Sequence, residues 1–254
     1  KFRIAEQLAA SHKRPRAIIA NSESTGASAF LSVPVEERLP FSLADAGDIE
    51  FAEGGAQFTY KGVRFALTQP GTFSILNALA ATKAAEFLGV SIEVSAQALA
   101  SLVRIPGRAE RIERGQNFAA VVDYAHTPDS LTALYEAFPG RKICVLGNTG
   151  GGRDTWKRPE MGALAEKYCD EVFLTNEDPY DESPEKIVNE MAAGMKEKKP
   201  VSIMDRREAI AAALALARTG DTVLITGKGT DPFIMGPNGS KETWSDARVV
   251  GEEL

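Results

Sequence analysis

Residues 118–146 read Phe-Ala-Ala-Val-Val-Asp-Tyr-Ala-His-Thr-Pro-Asp-Ser-Leu-Thr-Ala-Leu-Tyr-Glu-Ala-Phe-Pro-Gly-Arg-Lys-Ile-Cys-Val-Leu, and they decide the fold class. A short apolar run leads into a polar turn, a helix-forming segment, a Pro-Gly break and a second apolar run. Short apolar runs bounded by turn residues are typical of buried strands. The stretch therefore predicts a strand–helix–strand unit, which normally joins parallel strands.

The same alternation continues to residue 226. Strands and helices that alternate at this spacing indicate an α/β domain, with a mainly parallel, doubly wound sheet covered by helices on both faces. Ser183 and Asp205 are expected to cap helices, and Pro184 suits a first helical turn. We expect strands at 118–123, 142–146, 171–175, 201–204 and 222–226, with helices near 128–138, 158–168, 184–197 and 205–218.

The first hundred residues do not show this alternation of strands and helices. Gly54-Gly55 tolerates the positive φ of a tight turn, which predicts a hairpin over 49–60. Pro106 and Gly107 interrupt helix and strand alike and mark the domain joint, so the predicted domains are 1–104 and 105–254. Further strands are expected at 16–20 and 63–68, with helices at 73–88 and 94–102.

Composition narrows the class of protein. The chain has 254 residues, 44% hydrophobic and 25% charged, with a net charge of −6, which is unlike a sequence-independent nucleic-acid binder. No apolar run is long enough for a membrane span. Cys144 and Cys169 have no metal-type spacing and lie in apolar surroundings, so we expect reduced thiols and a cytoplasmic chain. The first residues resemble the middle of a helix, and we expect a monomeric fragment of a longer protein.

Polar loops follow four of the predicted strands. In a doubly wound sheet, ligands bind outside the carboxyl ends of the strands, so the four loops predict a cleft for a small polar ligand. They are Asp123-Tyr-Ala-His-Thr-Pro-Asp129, Gly147-Asn-Thr-Gly-Gly-Gly-Arg-Asp154, Asn176-Glu-Asp-Pro-Tyr180 and Gly227-Lys-Gly-Thr-Asp231.

Each of these features also has a structural explanation. Gly150-Gly151-Gly152 could cradle a phosphate with backbone amides, but it matches neither the dinucleotide nor the Walker A pattern. His126 is as consistent with a helix cap or a buried histidine as with catalysis. Asp178 and Asp181 could simply be loop or helix-start carboxylates.

Several longer motifs together resemble the Mur ligase family, most closely its MurE type, the UDP-N-acetylmuramoyl-peptide synthetases. The resemblance covers nearly the whole chain in the expected order. The stretches that carry it are Asp123-Tyr-Ala-His-Thr-Pro-Asp-Ser-Leu131, Gly107-Arg-Ala-Glu110, Gly152-Arg-Asp-Thr-Trp-Lys-Arg-Pro-Glu-Met-Gly162 and Gln69-Pro-Gly-Thr-Phe-Ser-Ile-Leu-Asn77.

The resemblance implies an ATP- and Mg²⁺-dependent ligase of cell-wall synthesis. Such an enzyme phosphorylates the carboxylate of a UDP-N-acetylmuramoyl peptide, and the amine of an incoming amino acid then attacks the acyl phosphate. No Gly-x-x-Gly-Lys-Thr/Ser loop occurs in this sequence. We therefore expect residues 1–104 to be the last part of the family's central ATP-binding domain and 105–254 its Rossmann-like C-terminal domain, with this chain alone inactive.

The resemblance also implies roles for individual residues. Asn77 would contact the nucleotide base, Arg108 the ATP phosphates and Asp123 the ribose hydroxyls, while His126 would lie near the nucleotide. Lys1 aligns with a lysine that the family carbamylates to hold a second magnesium ion. Ser74 stands where the family has its first Asn of this motif.

The incoming amino acid would be recognised by Arg153, the 176–180 loop with Asp178 and Tyr180, and the segment from Gly227 to Asp231. Diaminopimelate-adding enzymes have Asp-Asn-Pro-Arg where this chain has Glu-Asp-Pro-Tyr, so Tyr180 replaces an arginine. An acidic pocket without that arginine predicts L-lysine or another diamine as substrate. The acidic residues are Glu177, Asp178, Asp181, Glu182 and Asp231.

Two other readings stay open. The chain could be a non-catalytic Rossmann-like module that binds a nucleotide or a protein partner, which a P-loop upstream in the gene product would argue against. It could also be a folylpolyglutamate or cyanophycin synthetase relative, although the stretches at 123–131 and 157–159 argue against both.

Overall fold

The computed structural model describes residues 2–52 and 54–254. Its residue contacts divide the chain into two compact units, Lys1–Val103 and Arg104–Leu254. The division falls one residue before the boundary expected from Pro106 and Gly107. No helix in the described residues combines the length and apolar character needed to cross a membrane.

The first unit contains a parallel pair of strands and a three-stranded antiparallel sheet. Its elements are α1 (Phe2–Ala10), β1 (Ala17–Asn21), α2 (Ala27–Leu31), β2 (Glu37–Phe41), β3 (Gly47–Ala52), β4 (Gly55–Tyr60), β5 (Val63–Leu67), α3 (Gly71–Phe87) and α4 (Ile92–Ala100). β1 pairs with β2, and β4 lies between β3 and β5. The sequence did not predict β2, because Pro40 and its charged neighbours break the apolar pattern of a strand.

The core of this unit lies between the antiparallel sheet and α3. On β4 every second side chain is buried, which brings Phe58 against Phe65 of β5 with ring centroids 4.8 Å apart. Ile75 and Leu79 of α3 belong to the same buried cluster. The period-two pattern of β4 therefore orients α3 and decides which of its residues face solvent.

The second unit has the predicted α/β architecture. Its sheet order is β10-β9-β8-β11-β7-β6, parallel except for the edge strand β6. Every residue of β8 and β11 is buried, as expected for central strands with helices on both faces. The elements are β6 (Glu110–Arg111), β7 (Ala119–Asp123), α5 (Pro128–Glu136), β8 (Lys142–Leu146), α6 (Lys157–Tyr168), β9 (Glu171–Leu174), α7 (Pro184–Ala192), β10 (Val201–Ser202), α8 (Arg206–Leu216), β11 (Thr222–Thr226), β12 (Phe233–Met235), β13 (Lys241–Thr243) and α9 (Asp246–Glu253).

Local signals explain where the helices begin and end. The side chains of Ser183 and Asp205 accept the predicted capping hydrogen bonds from Lys186 and Glu208. α7 stops five residues earlier than expected, two residues before Gly194. A Cβ at Gly194 would collide with the carbonyl oxygen of Pro159, so this glycine permits the close approach of the chain after α7 to the start of α6.

The expectation of two reduced cysteines is wrong. Cys144 of β8 and Cys169, which follows α6, form a disulfide with their Cα atoms 6.1 Å apart. Both residues are buried, because the end of α6 lies over the centre of the sheet. The 25-residue separation does not reveal this proximity in the sequence. Cysteine usage consequently gives no support to a cytoplasmic location.

Candidate functional site

The four polar loops lie along one edge of the large sheet. β7, β8, β9 and β11 are parallel, so their carboxyl ends meet there. The Gly227 amide donates to the Asp123 carbonyl at 3.2 Å, and the Gly150 amide donates to the Asp178 carbonyl at 2.7 Å. These bonds join the loops in pairs. The four loops therefore lie side by side at one edge of the sheet, and the ligand cleft stays a prediction.

On the β7 side of this rim, three side chains form what we call the Arg108 stack. The exposed Arg108 guanidinium lies 4.4 Å from the centroid of the Tyr124 ring. The imidazole of His126 packs edge-on against the same ring, with centroids 4.8 Å apart. Within the described residues Arg108 belongs to no ion pair, so its positive charge is held by aromatic packing and faces solvent.

Asp123 is buried beneath this stack. Its two carboxylate oxygens accept hydrogen bonds from the Ala109 amide at 2.6 Å and the Ala125 amide at 2.7 Å. Burial raises the pKa of Asp123, while those amides and the nearby Arg108 oppose the rise. The carboxylate thus fixes the segment carrying Arg108 onto the end of β7, and each oxygen keeps a further lone pair for a ligand.

Two basic side chains at the start of α6 hold neighbouring loops. Lys157 is buried and donates to the carbonyl of His126 at 3.1 Å, and burial lowers its pKa. Arg158 is fully buried, and its guanidinium contacts Glu190 at 2.6 Å and Glu182 at 3.0 Å. It also donates to Asn148 and to the carbonyl of Thr149. Lys157 therefore holds the loop after β7, and Arg158 holds the loop after β8.

The triple glycine has a packing role. A Cβ on Gly150 would collide with the carbonyl oxygen of Pro179, and one on Gly151 would lie 3.1 Å from the ring of Tyr180. The Gly152 amide donates to Glu182 at 3.0 Å. The run allows the 147–154 loop to lie flat against the 176–182 loop, which explains the glycines without a phosphate.

Beneath the β9 and β11 loops lies a buried ion pair. Lys228, 1% exposed, donates to both oxygens of Asp178 at 2.8 Å. Asp178 also accepts the Met235 amide at 2.8 Å, and the Tyr180 amide donates to the Met235 carbonyl. The pair thereby ties the 176–182 loop to the β12–β13 hairpin. The predicted amino-acid-binding residue Asp178 is consequently committed to an internal partner.

Glu177 is buried beside this pair and is only partly bonded. Its Oε1 accepts the Thr149 hydroxyl at 2.9 Å, whereas Oε2 has no hydrogen-bond partner among the described residues. Burial raises the pKa of Glu177, with Arg206 opposing the rise. Gly227 has a φ of 108°, which L side chains rarely adopt, and a Cβ there would also displace Oε2 of Glu177.

The expected acidic pocket is partly neutralised by internal cations. Three of its five carboxylates form ion pairs, Asp178 and Asp231 with Lys228 at 2.8 and 3.8 Å and Glu182 with Arg158 at 3.0 Å. Asp181 accepts the amide of Asn238 at 2.7 Å, and Glu177 accepts the Thr149 hydroxyl. The negative charge that was expected to repel a distal carboxylate is therefore reduced by Lys228 and Arg158 but not removed.

The other predicted residues are distributed as follows. Arg153 is exposed in the β8 loop, and Tyr180 is half-buried with a positive φ of 52°. Asn77 belongs to the first unit, where it is exposed on α3, and the Ser74 hydroxyl donates to the Pro70 carbonyl at 2.6 Å. Lys1 lies outside the described residues. Among those that are described, no group of three or more metal-ligating side chains is present.

Sequence reasoning missed several residues that organise the rim. Tyr124 and Arg158 each lie inside stretches that were recognised, but only their neighbours were given roles, and Glu177 was counted only among the acidic residues of the pocket. Arg206 was likewise missed, although it is buried, pairs with Asp246 at 2.7 Å and donates to the Thr226 carbonyl. An arginine next to a predicted helix cap, facing an apolar strand, was the available signal for a buried ion pair.

Residues 107–229, which hold three of the rim loops and the start of the fourth, match the family described as Mur ligase, glutamate ligase domain. The chain belongs to the Mur ligase family. A relative from Caldanaerobacter subterraneus subsp. tengcongensis, named UDP-N-acetylmuramoyl-L-alanyl-D-glutamate–2,6-diaminopimelate ligase, is 40% identical over 224 residues, which is 84% of this chain. A relative of the same name from Syntrophomonas wolfei is 43% identical over 191 residues, 72% of this chain.

Solved structures agree with this assignment. The structure of a ligase with that same name has a TM-score of 0.58 at 29% identity and covers 94% of this chain and 53% of its own. MurF from Acinetobacter baumannii has a TM-score of 0.70 at 20% identity over 87% of this chain and 51% of its own, and shows the shared fold alone. The chain spans about half the length of the curated relatives it matches, 46% and 39% for the two described above.

Proposed function

We propose that this Mur ligase chain is the C-terminal half of an ATP-dependent ligase that joins a diamino acid to a UDP-N-acetylmuramoyl dipeptide. The observation that carries the proposal is the 40% identity, over most of the chain, to a relative with that activity in its name. The rim supports it, because one sheet edge carries both an exposed guanidinium and buried carboxylates. In this reaction ATP activates the dipeptide carboxylate as an acyl phosphate, and the amine of the amino acid displaces the phosphate.

The Arg108 stack is proposed as the nucleotide side of the site. An exposed guanidinium suits phosphate oxygens, with which it forms charge-assisted and often bidentate hydrogen bonds. Asp123 would accept the ribose hydroxyls with the lone pairs that Ala109 and Ala125 leave free. His126 would border the nucleotide. For Asn77, exposed on α3 of the first unit, contact with the base stays a prediction from the resemblance.

Binding of the ATP phosphates needs a cation that is not already neutralised, and Arg108 meets that need. Magnesium at such sites is usually held by one or two carboxylates together with substrate phosphates and water. The described residues contain no group of three or more metal-ligating side chains, so magnesium would be held largely by the phosphates themselves. Lys1, the residue expected to contribute to a metal site, is not among the described residues. No step is therefore assigned to a metal ion.

We propose diaminopimelate, rather than L-lysine, as the incoming amino acid. The argument for lysine required free carboxylates around the distal group, and three of the five are engaged in ion pairs, Asp178 and Asp231 with Lys228 and Glu182 with Arg158. Relatives at 40% and 43% identity carry diaminopimelate in their names. Arg153 is exposed on the rim and offers a guanidinium to a substrate carboxylate.

The test is amide formation by the complete ligase. Phosphate release from ATP should require both UDP-N-acetylmuramoyl-L-alanyl-D-glutamate and an amino acid, with kcat/KM for meso-diaminopimelate exceeding that for L-lysine. A preference for lysine of about tenfold, or about 1.4 kcal/mol, would reverse the specificity assignment. Nucleotide binding without amide formation by the complete protein would favour a non-catalytic module. A cytoplasmic monomer is proposed with this activity, and light scattering of the same preparation measures the oligomeric state.

A further inference from the structure

Arg108 is held in place by its backbone rather than by its side chain. Its guanidinium has no ion pair among the described residues and contacts the Tyr124 ring, 4.4 Å from the centroid. One aromatic contact leaves several orientations open to a long, flexible side chain. The charge therefore reaches one fixed place only if the backbone that carries it is rigid, and the groups that hold this backbone decide where the guanidinium lies.

The backbone on both sides of Arg108 is hydrogen-bonded to a buried carboxylate. On the following side, the Ala109 amide donates to Asp123 at 2.6 Å. On the preceding side, the Gly107 amide donates to Oε2 of Glu110 at 2.7 Å, and Glu110 is 5% exposed. Hydrogen bonds to an ionised acceptor are about twice as strong as those between neutral groups. Arg108 thus lies between two strong anchors, of which only Asp123 has so far been given a role.

Glu110 reaches the Gly107 amide from a fixed position in the sheet. It is the first residue of the edge strand β6, which pairs with β7. Its other oxygen, Oε1, lies 3.2 Å from the exposed guanidinium of Arg104. Gly107 also lies close against the β11 loop, because a Cβ on it would be 2.6 Å from the backbone of Gly229. The turn that presents Arg108 is therefore held by an edge strand on one side and by the β11 loop on the other.

We propose that Glu110 is a positioning residue for ATP binding, because it holds the Gly107 amide and so places the Arg108 guanidinium where the ATP phosphates bind. The inference rests on the proposed ligase function and concerns a residue to which the family resemblance gave no role. The alternative role, neutralising Arg104, contributes little, because that side chain is 66% exposed and water screens the ion pair. Displacement of a binding group by about 1 Å can cost about 100-fold in rate, so a small shift of this turn is enough to weaken catalysis.

Two substitutions in the complete ligase separate the reach of this side chain from its charge. Glu110→Asp keeps the charge but withdraws the carboxylate from the Gly107 amide by about one C–C bond, or about 1.5 Å. Glu110→Gln keeps the reach and an acceptor oxygen but removes the charge that faces Arg104. We expect Glu110→Asp to raise the Kd for ATP and to lower kcat/KM for ATP at least about fivefold, with Glu110→Gln within about threefold of wild type. KM for the amino acid should stay within about twofold in both variants.

A double-mutant cycle shows whether Glu110 acts through Arg108. In the Arg108→Ala background the guanidinium that Glu110 places is gone, so adding Glu110→Asp should lower kcat/KM for ATP by less than about twofold further. Two controls accompany the cycle. Arg104→Met removes the ion pair alone, and Glu113→Asp shortens an exposed glutamate just beyond β6. Both should stay within about twofold of wild type.

Three results would overturn the proposal. Equal losses in Glu110→Gln and Glu110→Asp would give the effect to the charge, and a full further loss in the Arg108→Ala background would give it to general damage. A lower melting temperature of Glu110→Asp with an unchanged Kd for ATP would leave Glu110 a structural role only. Calorimetric ATP binding keeps this test separate from the ligase function, because a wild type that binds ATP but forms no amide would refute that function alone.

Discussion

At the end of β7, Arg108 lies exposed over the ring of Tyr124, whereas at the ends of β9 and β11 Asp178 and Lys228 are buried against each other. The first side of the rim keeps its charge available to solvent. The second uses its charges to attach a loop to a hairpin. A polar residue on the β7 side is therefore expected to affect ligand binding, and one on the β9–β11 side is expected to affect folding, with Glu177 as the exception.

The largest effect should come from breaking the buried ion pair. In the 254-residue chain, Asp178→Ala leaves the buried Lys228 ammonium without its hydrogen-bonded anion, with only Asp231 at 3.8 Å, and leaves the Met235 amide without its acceptor. Loss of one partner of a buried pair typically costs about 3–5 kcal/mol. Urea unfolding should show a drop of that size in the free energy of unfolding.

The double variant Asp178→Leu, Lys228→Met is the control for this prediction. It replaces both charges by apolar groups of similar volume, which is often neutral for stability. We expect it to recover most of the loss. A free energy of unfolding within about 1 kcal/mol of wild type for Asp178→Ala alone would show that the pair is open to solvent, and the contrast between the two sides would fail.

The next effect should come from the triple glycine. Gly150→Ala places a methyl group against the carbonyl of Pro179, and forcing atoms into packed structure costs about 1–3 kcal/mol. Gly152→Ala is the matched control, because nothing lies within 4 Å of its Cβ and only its positive φ of 73° is strained. That strain amounts to about 1–2 kcal/mol. In thermal unfolding, the melting temperature of Gly150→Ala should be lower than that of Gly152→Ala. The reverse order would contradict the packing explanation.

On the β7 side we expect a loss of activity without a loss of stability. In the complete ligase, Arg108→Ala should lower kcat/KM for ATP at least about tenfold, or about 1.4 kcal/mol, with a melting temperature close to wild type. Tyr124→Phe keeps the ring beneath the guanidinium and should stay near wild type, whereas Tyr124→Leu should approach the Arg108→Ala value. An equal fall in melting temperature for Arg108→Ala would give this arginine a structural role.

The fold of the second unit was predictable from sequence because its central strands have a simple, continuous apolar pattern. β8 and β11 were placed at their observed bounds, since continuous apolar runs between polar turns have few alternatives. β2 was missed because Pro40 and charged residues obscure it, and the β12–β13 hairpin because its three-residue strands are too short to show a pattern. Existence and order of elements followed from local pattern, but short pairings that depend on tertiary contact did not.

The sequence predicted which loops form the rim, but not which of their charged residues pair with one another. The sequence located the four rim loops, yet it treated Asp178 and Glu182 as free acids because their partners, Lys228 and Arg158, are respectively 50 and 24 residues away. The same limit concealed the disulfide of Cys144 and Cys169. Whether a carboxylate serves a ligand or an internal cation depends on three-dimensional neighbours, which a single sequence does not contain.

The smallest expected effect is the pH dependence of stability that Glu177 causes. Unlike its polar neighbours at the ends of β9 and β11, Glu177 is not expected to stabilise the fold. Its pKa is raised in the folded chain, so the folded state holds this proton more tightly than the unfolded state does. The charges that bear on it are those of Arg206, Lys228, Lys157 and Asp178. Because the folded state binds more protons, the contribution of Glu177 to stability falls as the pH rises from its unfolded pKa of about 4.3.

Glu177→Gln removes this titration. In the 254-residue chain, its free energy of unfolding should match that of wild type near pH 4 and exceed it increasingly as the pH rises to 7, because only the wild type must bury an ionised carboxylate. Parallel urea titrations of both chains at several pH values give the difference, in which the other carboxylates cancel. Asp181→Asn, from an exposed position that accepts one amide, should show no such rise. If Glu177→Gln is instead less stable than wild type at pH 7, the Glu177 carboxylate of the wild type has a stabilising partner inside the protein. Glu177 would then follow the same rule as the other polar residues at the ends of β9 and β11.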